Sequence, residues 1–451
     1  MFVAKNRQNM SVKRILFVLF LALPALQVFC QNETDSVKTW SLEDCIRYAR
    51  EKNLDVQSAE VSLSSAQSDV KQAEANRLPG LSASISQGLS HARRDIESNK
   101  SAYAYSANAQ LSSSMTLYNG GRLNNTLAQK KTDVQARSLD VEHTRNSIEI
   151  RVTQAYLQIL YAKESVGINQ VTVETSRSQM ELSKELYQAG SIALSDFAQM
   201  ESQYASDKYQ LVVAENTLSR SILTLKQLLE LDAGYDFRVD FPEIDHDEVV
   251  SPIPSSVQVY NTSLEVMPEV KSAQLSVQSA AIGEKIAKAS SIPSISLSAG
   301  IGTGYATTSS DAFARQLDRS LSENVGLSLS IPIFNNRQAK TSMEKARLQS
   351  LSADISLQNV QKELLSTIET LWQDAVSAQS RYQAAGEKLR AAQISYDLVN
   401  EQFSRGMKNT VELLQEKNNF LSAQTESIQA KYQAVLSIKL LNFYQNKPIT
   451  L

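Results

Sequence analysis

The sequence predicts a mainly α-helical subunit that also supplies four strands to a membrane β-barrel. Three observations support this fold class: long segments with a heptad pattern, four segments that alternate apolar and polar residues, and a near-repetition of the whole pattern. The 451 residues include only 14 glycines and 9 prolines, which favours long helices with few turns. We therefore expect one duplicated unit rather than several compact domains.

Residues 1–30 are predicted to be a signal peptide. Four basic residues precede an apolar run from Ile15 to Leu26, and a run of this length is too short for a membrane helix, which needs about 20 apolar residues. Cleavage after Cys30 would leave Gln31 as the first mature residue. Lipidation of Cys30 is an alternative, which the bulky Phe29 before it disfavours.

The composition of the mature chain excludes several classes of function. Removing the four basic residues of the signal peptide changes the net charge from −3 to −7, so no nucleic-acid partner is expected. Cys45 is then the single cysteine, and no disulfide can form within the subunit. The scattered His91, His143 and His246 do not have metal-ligand spacing. We expect no cofactor, no metal and no enzymatic activity.

A long internal repeat divides the mature chain into two halves. Leu78-Pro79-Gly80-Leu81-Ser82 corresponds to Ile292-Pro293-Ser294-Ile295-Ser296, and further pairs follow at offsets of 214 to 216 residues. Repeats of this kind predict repeated structural units. The expected organisation is a first repeat at 31–231, a proline-containing acidic linker at 232–254, and a second repeat at 255–451.

Each half is predicted to contain a helix, a strand pair, a very long helix, a short turn and a final helix. The clearest helical signal runs from Arg337 to Phe403, where two apolar series recur every seven residues four positions apart. This a/d seam predicts a left-handed coiled coil. The series are Leu357, Leu364, Leu371, Ala378, Ala385 and Ala392, and Ile368, Ala375, Tyr382, Leu389, Tyr396 and Phe403.

Four segments, at about 80–91, 103–118, 294–306 and 322–334, alternate apolar with polar residues. This pattern is typical of strands in a membrane barrel, with the apolar side towards lipid. Unpaired strand edges are not tolerated in lipid, and useful barrels need about eight strands. Four strands are too few, so copies of the chain must combine. Three subunits would give a barrel of twelve strands with a water-filled interior.

The residues resemble the TolC-like outer-membrane efflux proteins over nearly the whole mature chain, from Trp40 to Asn446. The resemblance is carried by Arg77-Leu78-Pro79 and Ile292-Pro293 before strands, by 329–334 after the last strand, and by glycine turns at 190 and 406. It implies a homotrimer in the outer membrane with a helical tunnel in the periplasm. The implied partners are outer-membrane lipid, a periplasmic adaptor protein, and an inner-membrane pump or ABC exporter.

The resemblance also implies a gate at the two helix-to-helix turns. By this resemblance, Ser195 and Asp196 occupy the positions of a hydroxyl and a carboxylate in the family's gate, and Lys408 occupies the position of its basic residue. Glu412 and Gln415 occupy the two positions of the constriction ring that faces the lumen. Phe403 and Gln415 depart from the tyrosine and aspartate that the family often has, so the ring would carry about three charges per trimer and attract cations less strongly. Closure is then expected to depend on a contact of Lys408 with Asp196 or Ser195. The turns are also the implied adaptor contacts, at Gly190, Ser191, Gly406 and Met407.

Two other functions are compatible with parts of the pattern. A structural coiled-coil rod or trimeric adhesin would explain the heptads, although not the four alternating strands. An adaptor protein would carry a single helical hairpin flanked by small β domains, and this chain has two hairpins. The sequence therefore favours a passive export duct in the outer membrane of a Gram-negative bacterium, without indicating the exported substrate.

Overall fold

A computed structural model describes residues 39–94, 100–244, 249–309 and 311–451, so the predicted signal peptide lies outside the described residues. Residues from Trp40 to Leu451 form one compact unit. The helices are α1 (Leu42–Lys52), α2 (Leu54–Ala75), α3 (Arg122–Gln188), α4 (Leu194–Leu228), α5 (Ser256–Val266), α6 (Pro268–Ala289), α7 (Phe313–Arg319), α8 (Gln338–Ser404) and α9 (Thr410–Tyr444). The strands are β1 (Thr39–Trp40), β2 (Gly80–Arg94), β3 (Lys100–Asn119), β4 (Arg238–Val239), β5 (Ser294–Ala306) and β6 (Ser322–Ser330).

The two halves of the chain use helices of equal length. α1 and α5 have 11 residues each, and α2 and α6 have 22 each. The long helices α3 and α8 have 67 residues each, and the returning helices α4 and α9 have 35 each. At 1.5 Å per residue, α3 and α8 are each about 100 Å long. The short helix α7, between β5 and β6, was not expected from the sequence.

Local sequence signals define where the shorter helices begin. Ser41 Oγ accepts a hydrogen bond from Asp44 N at 3.2 Å at the start of α1, and Asn53 Oδ1 accepts one from Asp55 N at 2.9 Å at the start of α2. Such caps satisfy amide groups that have no partner within the helix. α6 begins instead with Pro268, whose missing N–H group is not needed at this position.

The four long strands form one antiparallel sheet in the order β2-β3-β5-β6. The β3–β5 pairing joins the two halves of the chain, and a bulge lies between Thr116 and Tyr118. β6 ends at Ser330, although the sequence predicted pairing to residue 334. Pro332 has no N–H group to donate to a strand neighbour, which explains the earlier end. β2 and β6 are the two edge strands of the sheet.

The largest hydrophobic cluster lies where the middle of α3 meets α1 and the ends of α4 and α9. It includes the fully buried Tyr156, Leu225 and Val435. Tyr156 donates a hydrogen bond to Asp240 O at 2.7 Å, and burial raises the pKa of its hydroxyl. This cluster fixes α3 against the returning helices about midway between the sheet and the helix tips.

The heptad seam predicted for α8 faces other helices of the subunit along most of its length. Its buried members are Leu364, Ile368, Ala375, Ala378, Ala385, Tyr396 and Phe403. α8 packs along α9, which returns antiparallel after a short turn. Among the described residues, no helix is both long and apolar enough to cross a membrane.

Candidate functional site

The turn from α3 to α4, the first tip, is built by a glycine in a left-handed conformation. Gly190 has φ of +76°, and its amide donates to Tyr187 O at 2.9 Å while Ser191 N donates to Leu186 O at 2.8 Å. These two bonds are those of a Schellman motif, which satisfies the last carbonyls of a helix. The rings of Tyr187 and Phe197 then stack across the hairpin at 5.9 Å between centroids.

The turn from α8 to α9, the second tip, repeats this geometry. Gly406 has φ of +73°, its amide donates to Phe403 O, and Met407 N donates to Gln402 O, both at 2.9 Å. Gly190, Ser191, Gly406 and Met407 are all exposed in the subunit. The two tips therefore present similar backbone turns with different side chains.

The start of α9 combines a capping box with an ion pair. Asn409 Oδ1 accepts from Glu412 N at 2.9 Å, and Glu412 Oε2 accepts from Asn409 N at 3.2 Å. Lys408 Nζ lies 2.5 Å from Glu412 Oε1. The hydrogen bond from Lys408, with that from the Asn409 amide, lowers the pKa of the Glu412 carboxyl. Within one subunit, Lys408 is thus paired with Glu412, a contact that the sequence analysis above did not predict.

The other gate residues predicted from the sequence have different environments. Asp196 accepts a hydrogen bond from Ala193 N at 3.3 Å, so its carboxylate caps α4, and the neighbouring Ser195 is exposed. Gln415 is exposed and donates to Asn419 at 3.4 Å. Phe403 is only 3% exposed and packs against Met200, Tyr396, Leu413 and Leu414. Its ring therefore belongs to the core that holds the two hairpins together.

A buried ion pair lies just above the tips and was missed by the sequence analysis. Lys417 Nζ of α9 is 2.5 Å from Asp207 Oδ2 of α4, and the two side chains are 3% and 6% exposed. Ser176 of α3 donates to the same carboxylate, and Gln203 Nε2 donates to its other oxygen at 2.8 Å. This cluster connects the α3–α4 hairpin to α9 at a point where charges are shielded from water.

A second polar contact joins α3 to α8, about one helical turn beyond Ser176 towards the first tip. Gln179 Nε2 donates to Tyr396 Oη at 3.0 Å and to Asn400 Oδ1 at 2.7 Å. Burial raises the pKa of the Tyr396 hydroxyl. Both hairpins are therefore held in register by buried hydrogen bonds in addition to apolar packing.

The register of the sheet separates two faces of opposite character. On the first, which we call the apolar face, Ala83 lies opposite Leu111, which lies opposite Ile301. Polar exceptions on this face include Gln87, His91, Ser113, Thr303 and Glu323. On the second, the serine face, Ser82 lies opposite Ser112, Ser112 opposite Gly300, and Gly300 opposite Asn324. Other members of the serine face are Ser84, Ser86, Asn108, Gln110, Ser114, Ser296, Ser298, Gly302, Gly304, Gly326 and Ser328.

Aromatic side chains lie at both ends of the apolar face. At the end far from the long helices, Tyr305 contacts Tyr105 and Phe313, with ring centroids 6.3 and 5.1 Å apart. At the other end lie the exposed rings of Tyr118 and Phe334. Aromatic residues at both edges of an apolar band are typical of strands that cross an outer membrane.

Comparison with known proteins identifies the family. The sequence profile of the outer membrane efflux protein family matches residues 45–230 and 259–442, one match in each half of the chain. The chain belongs to this family. The TolC-like resemblance is thereby confirmed, and the protein is an outer-membrane efflux channel protein of a Gram-negative bacterium.

Two curated relatives and one solved structure illustrate the similarity. The outer membrane protein TolC of Escherichia coli is 22% identical over 413 residues, covering 88% of this chain and 80% of TolC. The pyoverdine export outer membrane protein OpmQ of Pseudomonas aeruginosa is 23% identical over 303 residues, covering 64% and 60%. A crystal structure of CusC has a TM-score of 0.76 at 18% identity, covering 90% and 91%. These comparisons give no support for a rod or adhesin.

Proposed function

We propose that three copies of this chain form a passive export duct, with a twelve-stranded barrel in the outer membrane and a helical tunnel in the periplasm. The observation that carries the proposal is the separation of an apolar face from a serine face across all four strands. Apolar side chains would face lipid, and the hydroxyl, amide and glycine face would line a water-filled interior.

The edges of the sheet support assembly from several copies. β2 and β6 have no strand partner on their outer sides within the described subunit, and lipid does not satisfy free backbone groups. Each side chain of Leu81, Ile85, Val325 and Leu327 is at least two-thirds exposed. Antiparallel pairing of β6 with β2 of the next copy would close the sheet, and three copies supply twelve strands.

The gate in this proposal lies at the second tip. Lys408, Glu412 and Gln415 would surround the tunnel axis, with Ser195 and Asp196 on the neighbouring outer hairpin and Phe403 supporting them from the core. Because each Glu412 carries its own Lys408 partner at 2.5 Å, the ring is less acidic than its carboxylates alone suggest. An ion pair this exposed is screened by water, so it would hold the tip only weakly and a partner protein could open the gate at low cost.

The adaptor contact would be formed by the exposed glycine turns. Gly190 and Ser191 in one tip, and Gly406 and Met407 in the other, present backbone and small or flexible side chains. A periplasmic adaptor bound there, with an inner-membrane pump or ABC exporter behind it, would connect the duct to its energy source.

Photo-crosslinking in the native host tests this assignment. A photoreactive amino acid at Met407 should crosslink to a periplasmic adaptor protein, and mass spectrometry of the product would identify it. The control position is Leu351, which is exposed on α8 near the sheet end and should yield at most crosslinks to other copies of the chain. Equal capture of the adaptor at both positions would contradict the tip assignment.

A further inference from the structure

The glycines of the serine face all lie opposite polar side chains of the adjacent strand. Gly300 is paired with Asn324, Gly304 with Asn108, and Gly302 with Gln110. The same arrangement holds for Gly88 with Ser106 and for Gly326 with Ser298. Glycine weakens a strand because it has no side chain to pack, so this repeated placement calls for a physical reason.

The asparagine pairs show what the missing side chain permits. A Cβ atom at Gly300 would lie 2.8 Å from Asn324 Oδ1, and one at Gly304 would lie 2.6 Å from Asn108 Oδ1. The amide of each asparagine therefore occupies the space above the glycine of the next strand. Gly300 and Gly304 do not have positive φ angles, so their backbones would accept alanine and the constraint is one of space.

We propose that these glycine–asparagine pairs set the bore of the barrel, allowing bulky, hydrogen-bonding cargo to pass. This inference rests on the proposed barrel, in which the serine face is the inner wall. With glycine opposite, each asparagine lies flat along the wall. With alanine opposite, the amide must turn away from the wall into the lumen, in three copies at each level of the barrel.

The resulting wall is polar and nearly smooth. Its hydroxyl and amide groups can exchange hydrogen bonds with a passing solute, and apart from Gln110 and the two asparagines the members of the serine face named above are serine or glycine. Such a surface suits bulky solutes that exchange hydrogen bonds with the wall as they pass.

Graded thiol labelling of intact cells tests the bore independently of the periplasmic gate. A reporter variant, Ser114→Cys, places a thiol on the serine face on the helix side of both asparagine levels. External maleimide reagents must pass Asn108 and then Asn324 to reach it. Cys45 is fully buried, and the parent chain without the reporter gives the background.

The comparison uses a small maleimide and a maleimide carried on a large polyethylene glycol. Adding Gly300→Ala to the reporter should slow labelling by the large reagent severalfold and leave the small reagent unaffected. Combining Gly300→Ala with Asn324→Gly should restore the rate. The matched control is Ala299→Val, on the apolar face of the same strand, which should change neither rate.

Each outcome decides one claim. If Gly300→Ala leaves the ratio of large to small labelling unchanged, the glycine pairs do not set the bore. If Gly300→Ala does not assemble, Asn324→Gly alone should increase labelling by the large reagent, and an unchanged rate would also overturn the inference. If even the small reagent fails to reach Ser114→Cys, the proposed barrel itself is wrong.

Discussion

Replacing Lys417 by methionine leaves the carboxylate of Asp207 buried without its cation. The two side chains are 3% and 6% exposed, and breaking a buried pair of this kind costs about 3–5 kcal/mol. Ser176 and Gln203 still donate to the carboxylate, which favours the lower end of this range. A loss of about 3 kcal/mol raises the population of locally opened α9 by roughly two orders of magnitude.

Hydrogen–deuterium exchange measured by mass spectrometry would follow this opening directly. Amides at the start of α9 should exchange roughly a hundred times faster in Lys417→Met, because the opening equilibrium governs exchange from local fluctuations. Amides of α1, which is anchored in the large mid-helix cluster, should not change.

Two further variants make the test specific. Lys388→Met breaks an exposed pair with Glu426, whose members are 50% and 48% exposed, and should cost at most about 1 kcal/mol. The double variant Lys417→Met with Asp207→Leu removes both charges and should recover most of the lost protection. Two results would refute the reasoning. One is unchanged exchange at the start of α9 in Lys417→Met, and the other is exchange in the double variant as fast as in Lys417→Met alone.

Three other predictions concern the tips. Lys408→Glu should loosen the gate and raise single-channel conductance in lipid bilayers; an unchanged conductance contradicts the gate assignment. The pKa of Glu412 is lowered in the fold, so its stabilisation of α9 is present above the ordinary glutamate pKa and lost as pH falls through the lowered one. Protection factors at the tip, which correct for the slower intrinsic exchange in acid, should therefore fall at low pH, and Glu412→Gln should abolish that dependence. Gly406→Ala should lower the free energy of unfolding by about 1–2 kcal/mol in chemical denaturation, because alanine is strained in the left-handed conformation. The control Gly386→Ala, within α8, should raise that free energy by about 0.5–1 kcal/mol. Equal effects of the two substitutions would contradict the left-handed turn at Gly406.

Local periodicity explains which parts of the fold were predictable. The α8 seam could be predicted because apolar residues recur every seven positions from Leu357 to Phe403, and the buried residues from Leu364 to Phe403 follow that series. The two strand faces were predictable for the same reason, since alternation alone decides which side chains share a face. The glycine turns at 190 and 406 were also predictable from the sequence, because a helix that ends with a residue in the left-handed conformation strongly favours glycine there.

Contacts between distant parts of the chain were not predictable. Lys417 and Asp207 are 210 residues apart, and each looks like an ordinary polar residue on a helix surface. Their meeting depends on how α4 and α9 pack against α3, which no local pattern encodes. The ion pair of Lys408 with Glu412 was different, because its i, i+4 spacing on a helix start is a recognisable signal that the expected role of Lys408 in the gate obscured.

The role of the serine face shows a third kind of limit. The alternation of serine and glycine was evident in the sequence, but the pairing of Gly300 with Asn324 depends on the register of β5 with β6. A shift of one residue would place every side chain on the opposite face. The spatial relation of glycine to asparagine therefore became visible only with the sheet.

The central claim is that three subunits close one barrel around a polar lumen. An electron cryomicroscopy reconstruction of the protein extracted from outer membrane into lipid nanodiscs tests it most directly. The expected result is a threefold complex in which β6 of each subunit pairs with β2 of the next, with Asn324 and Ser112 facing the lumen. A monomer with open strand edges, or a closed barrel whose lumen is lined by Leu111 and Leu327, would contradict the claim.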